Sequence, residues 1–143
     1  MITPSESQIA TLMSLPAELP LAVLNLFKFN VRACYSDVDP EFGTPTGEVT
    51  GAEAFTRYSE VAGRLLEECG GRVVFSEPVA QVMVGTEDVA WDVAALMFFP
   101  TRGDFTLMLG NPEFVAVSRH RKAALANHYM LHLAGDSFAS LSS

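Results

Sequence analysis

Nine consecutive positions, Leu21-Ala22-Val23-Leu24-Asn25-Leu26-Phe27-Lys28-Phe29, are apolar except for one amide and one amine. Bounded by Pro20 and by polar residues beyond it, a run of this length reads as a buried central strand. Asn25 and Lys28 are an odd number of residues apart, so they point to opposite faces and cannot serve one site together. A second run, residues 90–99, is apolar at both alternating positions and reads as another central strand, buried on both faces. Between the two, Thr50 and Glu53 form a capping box that opens a helix running to about Glu68. Phe55, Tyr58, Ala62 and Leu65 make its buried stripe, and Gly70-Gly71 provides a positive-φ exit. Residues 72–84 predict a long strand, and Pro78, which cannot donate to a ladder, makes it an edge strand broken or bulged there.

The remaining segments follow the same logic. Pro4 and Ser5 open a short helix over 5–14, with Ile9, Leu12 and Met13 on one face. Thr101 and Asp104 start another after Pro100, closed by Gly110, and Asn111 with Pro112 caps the next. Phe114, Val117, Arg121 and Leu125 trace one side of that helix. His128 to Leu133 reads as the last strand, and the Ser- and Ala-rich tail, residues 135–143, as frayed. The loop at 30–49 is far longer than an ordinary connection, which suggests a lid or binding loop. Its acids Asp37, Asp39 and Glu41 lack the glycine placement of an EF-hand and read as a solvated acidic loop. The order is a helix followed by β-α-β-β-α-β. That is the α+β, ferredoxin-like arrangement: a four-stranded antiparallel sheet with helices on one face, in a single domain over 1–143 whose core spans about 20–134. The uncovered face must be hidden, and pairing with a second sheet predicts a homodimer.

Composition narrows the partners. A chain of 143 residues buries about 68–70% of its unfolded surface and needs no disulfide or metal staple. Hydrophobic residues at 49% against 18% charged residues again point to surface covered by another subunit. The net charge of −8, with nine Lys and Arg in all, argues against nucleic acid and against an anionic membrane surface. Cys34 and Cys69 are too few and too irregularly placed for a disulfide framework or zinc site and read as free thiols. No apolar run approaches the ~20 residues of a membrane span, and the first residues lack the basic end of a signal peptide, so the expected compartment is the cytoplasm.

No G-x-S-x-G, C-x-x-C, H-E-x-x-H or G-x-G-x-x-G occurs, which removes the common hydrolase, redox, zincin and dinucleotide readings. Candidate chemistry therefore rests on individual side chains. Asn25, set in an apolar strand, needs partners, since an unpaired buried amide costs about 1–3 kcal/mol. It either ties the strand to a neighbour or orients a substrate carbonyl or oxyanion. Tyr58 lies on the buried stripe and brings its hydroxyl toward the sheet, either as core packing or within reach of Asn25. His120 and Arg121 form the best acid/base and anion-binding pair, although adjacent helix positions diverge by about 100° and a single one of them faces a pocket. The alternative is a solvated basic face shared with Arg119 and Lys122. Trp91, Phe27 and Met97 are candidate ligand-lining residues, and Asp92 reads as a strand-end contact. His128 and His132 share one side of a strand about 13 Å apart, too far for one metal, so no metal or cofactor is expected.

Asn25-Leu26-Phe27-Lys28-Phe29, Gly51-Ala52-Glu53-Ala54-Phe55-x-x-Tyr58, Gly70-Gly71-Arg72-Val73, Trp91-Asp92, Phe99-Pro100-Thr101-Arg102, Asn111-Pro112-Glu113-Phe114 and His120-Arg121, taken in order, resemble the DUF1330 family of the dimeric α+β barrel superfamily. The similarity spans about Thr3 to Leu133, and the long loop at 30–49 departs from it. The resemblance implies a homodimer of ferredoxin-like subunits whose sheets pack into a barrel. It implies no reaction, although superfamily members include cofactor-independent monooxygenases, isomerases and decyclising enzymes. Two readings follow: a cofactor-independent enzyme acting on a small carbonyl-bearing or aromatic metabolite, or a non-catalytic small-ligand-binding or sensing homodimer.

Overall fold

The computed structural model describes residues 2–35 and 49–142, so the acids Asp37, Asp39 and Glu41 and most of the long loop lie outside the described residues. In chain order the elements are α1 (Glu6–Ser14), β1 (Leu21–Phe29), α2 (Gly51–Glu68), β2 (Arg72–Pro78), β3 (Val93–Phe99), α3 (Arg102–Leu109), α4 (Pro112–Ala124), β4 (Leu125–Ala134) and α5 (Asp136–Ser142). The strands form one antiparallel sheet ordered β2-β3-β1-β4, with β1 and β3 at its centre. This is the ferredoxin-like βαββαβ topology, preceded by a helix.

Local chemistry sets the element boundaries. Ser5 and Gln8 form a reciprocal capping box on α1, and Thr101 and Asp104 do the same on α3. The Thr50 hydroxyl accepts the Glu53 amide at the start of α2, and Gly70 leaves that helix at φ +88°. Asn111 accepts the amides of Glu113 and Phe114, with Pro112 at the first helical position of α4.

Four boundaries differ from the pattern. β4 starts at Leu125 rather than His128, so Leu125 belongs to the strand and not to the helix stripe, because it pairs with Phe29 at the end of β1. β2 stops at Pro78 instead of continuing to Val84: Pro78 pairs with Val93, where β3 begins, and one step beyond, the Val79 amide still donates to the Asp92 carbonyl at 2.9 Å, where Asp92 leaves the ladder for the end of β1. β3 starts at Val93 rather than Ala90, because Asp92 is captured by the end of β1: its amide donates to the Phe27 carbonyl and its carboxylate accepts the Phe29 amide, both at 2.8 Å. Trp91 therefore sits half-buried in the connection and not within a strand. The tail, expected to be frayed, forms helix α5, anchored by the Gly135 amide on the Pro20 carbonyl.

Odd-numbered residues of β1 face the helices. Leu21 and Val23 pack with Leu66, Phe99 and Phe105, and Phe27 packs with Ala54, Ala95 and Ala123. Helices α2 and α4 lie side by side over this face. The even-numbered face carries Leu24 and Leu26, with Leu96 and Phe98 beside them on β3 and Tyr129, Leu131 and Leu133 on β4. Phe75, Tyr129, Leu131 and Leu133 are exposed there, giving an apolar face of the kind that a partner covers. Lys28 points to this side and reaches the Asp92 carboxylate at 3.5 Å, so its amine stays near the strand exit.

Candidate functional site

Register decides the site. In the β1–β4 ladder Phe27 pairs with His128 and Asn25 with Met130, so His128 stands diagonally next to Asn25 on the helix-facing side. The His128 Nε2 lies 2.9 Å from Asn25 Oδ1, and Arg121 Nη1 lies 3.1 Å from His128 Nδ1. A guanidinium only donates, so Nδ1 must accept, and the proton is on Nε2, which donates to the Asn25 carbonyl oxygen. The Asn25 amide nitrogen in turn donates to Met97 Sδ at 3.1 Å. At the far end, Arg121 Nη1 also donates to the Ile2 backbone carbonyl at 2.8 Å. One relay thus runs Ile2–Arg121–His128–Asn25–Met97, with Asn25 only 3% exposed.

The electrostatics agree with the hydrogen bonding. Burial, reinforced by the Arg121 charge, lowers His128 from 6.5 to about 4, so the imidazole is neutral at pH 7. Burial raises the Tyr58 hydroxyl, an effect partly offset by the attraction of its phenolate to Arg121, and Tyr58 remains a protonated donor. Burial likewise lowers Arg121, with Tyr58 acting against it. Aromatic rings wall the cluster: Phe27 lies 4.7 Å from the His128 ring and 4.6 Å from Phe55, and Tyr58 lies 5.6 Å from Phe55 and 6.0 Å from Phe114.

Of the side chains singled out from the sequence, Asn25, Arg121, Phe27 and Met97 contact one another or His128, and Tyr58 lies in the Arg121 field. Trp91 is displaced into the connection before β3. His120 turns away. Its Nδ1 lies 2.7 Å from the Tyr35 hydroxyl, whose oxygen also receives Arg57 Nη1 at 3.5 Å. Burial, then Arg119 and Arg57, lower the His120 pKa, so this second cluster also holds a neutral imidazole. Tyr35, 4% exposed, carried no signal beyond being an aromatic in the long loop. In the linear sequence His128 stands out only as a metal-ligand candidate; its pairing with Asn25 depends on strand register. Among the described residues no group of three or more His, Cys, Asp and Glu is placed to hold a metal ion.

Among the described residues, two grooves bear on this arrangement. One, about 580 Å³, is lined by Ile2, Thr3, Asn30, Cys34, Lys122 and neighbouring residues, and so begins at the residue whose carbonyl occupies Arg121. The other, about 270 Å³, lies between α1 and α3. Neither is lined by Asn25 or Tyr58 themselves.

The sheet order and the buried relay on its helix-facing side define a ferredoxin-like α+β protein with a donor-rich polar cluster. Among solved structures, the chain is similar to methylated RPA0582 protein, with 28% identity, 94% of this chain and 93% of the other covered, and a TM-score of 0.82. It is equally similar to a second structure of RPA0582, a protein of unknown function from Rhodopseudomonas palustris, with 28% identity, 93% and 95% covered, and a TM-score of 0.81. A dimeric protein of unknown function from Bacteroides fragilis, described as having a ferredoxin-like fold, reaches 13% identity, 83% and 99% coverage and a TM-score of 0.42, too distant to carry an argument. No family model matches the chain, and the search of curated proteins found no match. No described helix is long and apolar enough to cross a membrane.

Proposed function

We propose that this chain is a DUF1330-like cytoplasmic homodimer that binds a small carbonyl-bearing metabolite at the Asn25–His128–Arg121–Tyr58 cluster. The observation that carries the reading is the Ile2 carbonyl held by Arg121 at 2.8 Å. A peptide carbonyl stands there in the place of a ligand oxygen, at the edge of a groove open to solvent. The side chains around it are set to donate. Arg121 has donors only, the His128 lone pair is already occupied by Arg121, and Tyr58 keeps its proton. Such a set recognises an acceptor and does not abstract protons, which favours binding over general-base catalysis.

The second reading, a cofactor-independent enzyme of monooxygenase or isomerase type, draws on the same donors. Aimed at a carbonyl in a dry apolar setting, they would stabilise an oxyanion as well as a ground-state ligand. The apolar outer face of the sheet supports the dimer, in which Leu24, Leu26, Leu131 and Leu133 would pack against their counterparts.

The test is a thermal-shift panel of small ketones, aldehydes and aromatic acids, with each hit followed by the His128 side-chain nitrogen resonances. Binding that moves His128 Nε2 and is lost in Arg121→Met supports the site. Hits that leave His128 unmoved and bind Arg121→Met as tightly overturn it. Consumption of a hit over hours decides for the enzyme, and its persistence for the binding protein. Light scattering is expected to give a dimer that Leu131→Glu converts to monomer; a monomeric parent overturns the dimer.

A further inference from the structure

The groove between α1 and α3 lies apart from this cluster, and its walls differ in kind from its floor. Leu12, Met13 and Leu15 come from α1 and its exit, and Leu107 from α3. Met13 is 65% and Leu107 75% exposed, so the groove presents apolar side chains to solvent. Arg102, the first residue of α3, lines the same groove. Its main chain is fully engaged: the amide donates to the Leu19 carbonyl at 2.8 Å, and its carbonyl accepts the Thr106 hydroxyl at 3.2 Å. Its side chain is not. The Nε atom is buried without a hydrogen-bond partner, and among the described residues Arg102 forms no ion pair.

A buried guanidinium nitrogen without an acceptor is costly, and in this fold its neighbours do not relieve it. The nearby side chain on the sheet is His132, with its ring edge-on to Phe105 at 4.7 Å. Burial and the Arg102 charge both lower the His132 pKa, so His132 stays neutral and supplies no anion. A ligand that satisfies both parts of the groove carries one anionic, two-oxygen head for the guanidinium and an apolar body for the leucine and methionine walls. The volume of about 270 Å³ falls just below the roughly 300–1,000 Å³ of drug-sized sites, which selects a small molecule.

We propose that the α1/α3 groove is a binding site for a small monocarboxylate with an unbranched apolar tail, its carboxylate paired with Arg102 and its tail laid between α1 and Leu107. The head is recognised as a two-oxygen anion by the Nη donors at the outer end of the guanidinium, whose charge has no counter-ion among the described residues.

Sodium octanoate is the probe, titrated into the full chain and followed through backbone amide resonances. Saturable shifts are expected at Met13, Leu15, Thr106 and Leu107, while His128 stays unmoved. Arg102→Gln is expected to weaken octanoate at least tenfold and Arg102→Lys to recover part of that loss. Octanamide, which has the tail without the charge, is expected to bind the parent at least tenfold more weakly. Octanamide binding as tightly as octanoate overturns the proposal, as do shifts confined to other surfaces or the absence of any saturable shift. Should Arg102→Gln fail to fold, Leu107→Asp on the exposed wall replaces it, and unchanged octanoate affinity in that variant overturns the proposal equally.

Discussion

His128 makes the buried relay measurable. Its imidazole titrates at about 4 in the fold, against an ordinary value of 6.5. The unfolded chain therefore takes up a proton between these values while the folded chain does not, and stability must fall as pH drops through that window. Above 6.5 the group contributes no pH dependence. At pH 4.5 the imidazole alone removes about 2.5 kcal/mol, rising to about 3 kcal/mol once the pH is below 4, at ~1.4 kcal/mol per tenfold difference in proton affinity. His120 and His132 are lowered as well and add loss of the same sign. The assay is urea denaturation of the parent and of His128→Gln at pH 7 and pH 4.5. Carboxylates and the other two histidines are common to both proteins, so the difference of differences isolates His128. The parent is expected to lose about 2 to 3 kcal/mol more than the variant. An NMR titration of the three histidines gives an independent value. A His128 midpoint near 6.5, or equal acid sensitivity in the two proteins, would refute the burial and the Arg121 contact from which the argument starts.

Other substitutions probe the same structure from different sides. Asn25→Ala leaves the His128 Nε2 proton without an acceptor, and chemical denaturation is expected to show a loss of about 1–3 kcal/mol. Arg121→Met removes the cation that helps depress His128 and that favours the Tyr58 phenolate. The His128 midpoint should move up toward 6.5 by NMR, and the Tyr58 ionisation seen by ultraviolet absorbance should move to higher pH. A methyl group at Gly51 would fall on the Asn30 and Ala124 carbonyls, which are backbone and cannot step aside. Gly51→Ala is expected to lower stability by about 1–3 kcal/mol in thermal melts. Gly63, inside the same helix with open space around it, should instead gain about 0.5–1 kcal/mol as alanine.

Much of the fold was legible in the linear chain because it rests on local chemistry. An unbroken apolar run bounded by Pro20 identified β1, the capping residues placed the starts of α1 to α4, and Gly70 closed α2 by a conformation that glycine adopts readily. Parity alone placed Asn25 and Lys28 on opposite faces of β1. The polar cluster was half legible. Asn25 and Tyr58 declared themselves as polar groups on apolar faces, whereas Tyr35 had no periodicity to give it away.

What the chain could not announce is which residues meet. That His128 stands beside Asn25 follows from the β1–β4 register, which the packing of the whole sheet selects, since a slip of one residue would turn His128 to the other face. The choice between His120 and Arg121 is a matter of how α4 is rotated over the sheet, and the structure sends Arg121 to His128 and His120 to Tyr35. Asp92 ends β1 instead of extending β3 because its carboxylate can reach the Phe29 amide, a contact 63 residues apart in sequence. Local propensity and side-chain alternation are properties of neighbours along the chain, and they determined the elements. The relay is made of contacts between distant segments, so only the tertiary structure decided it.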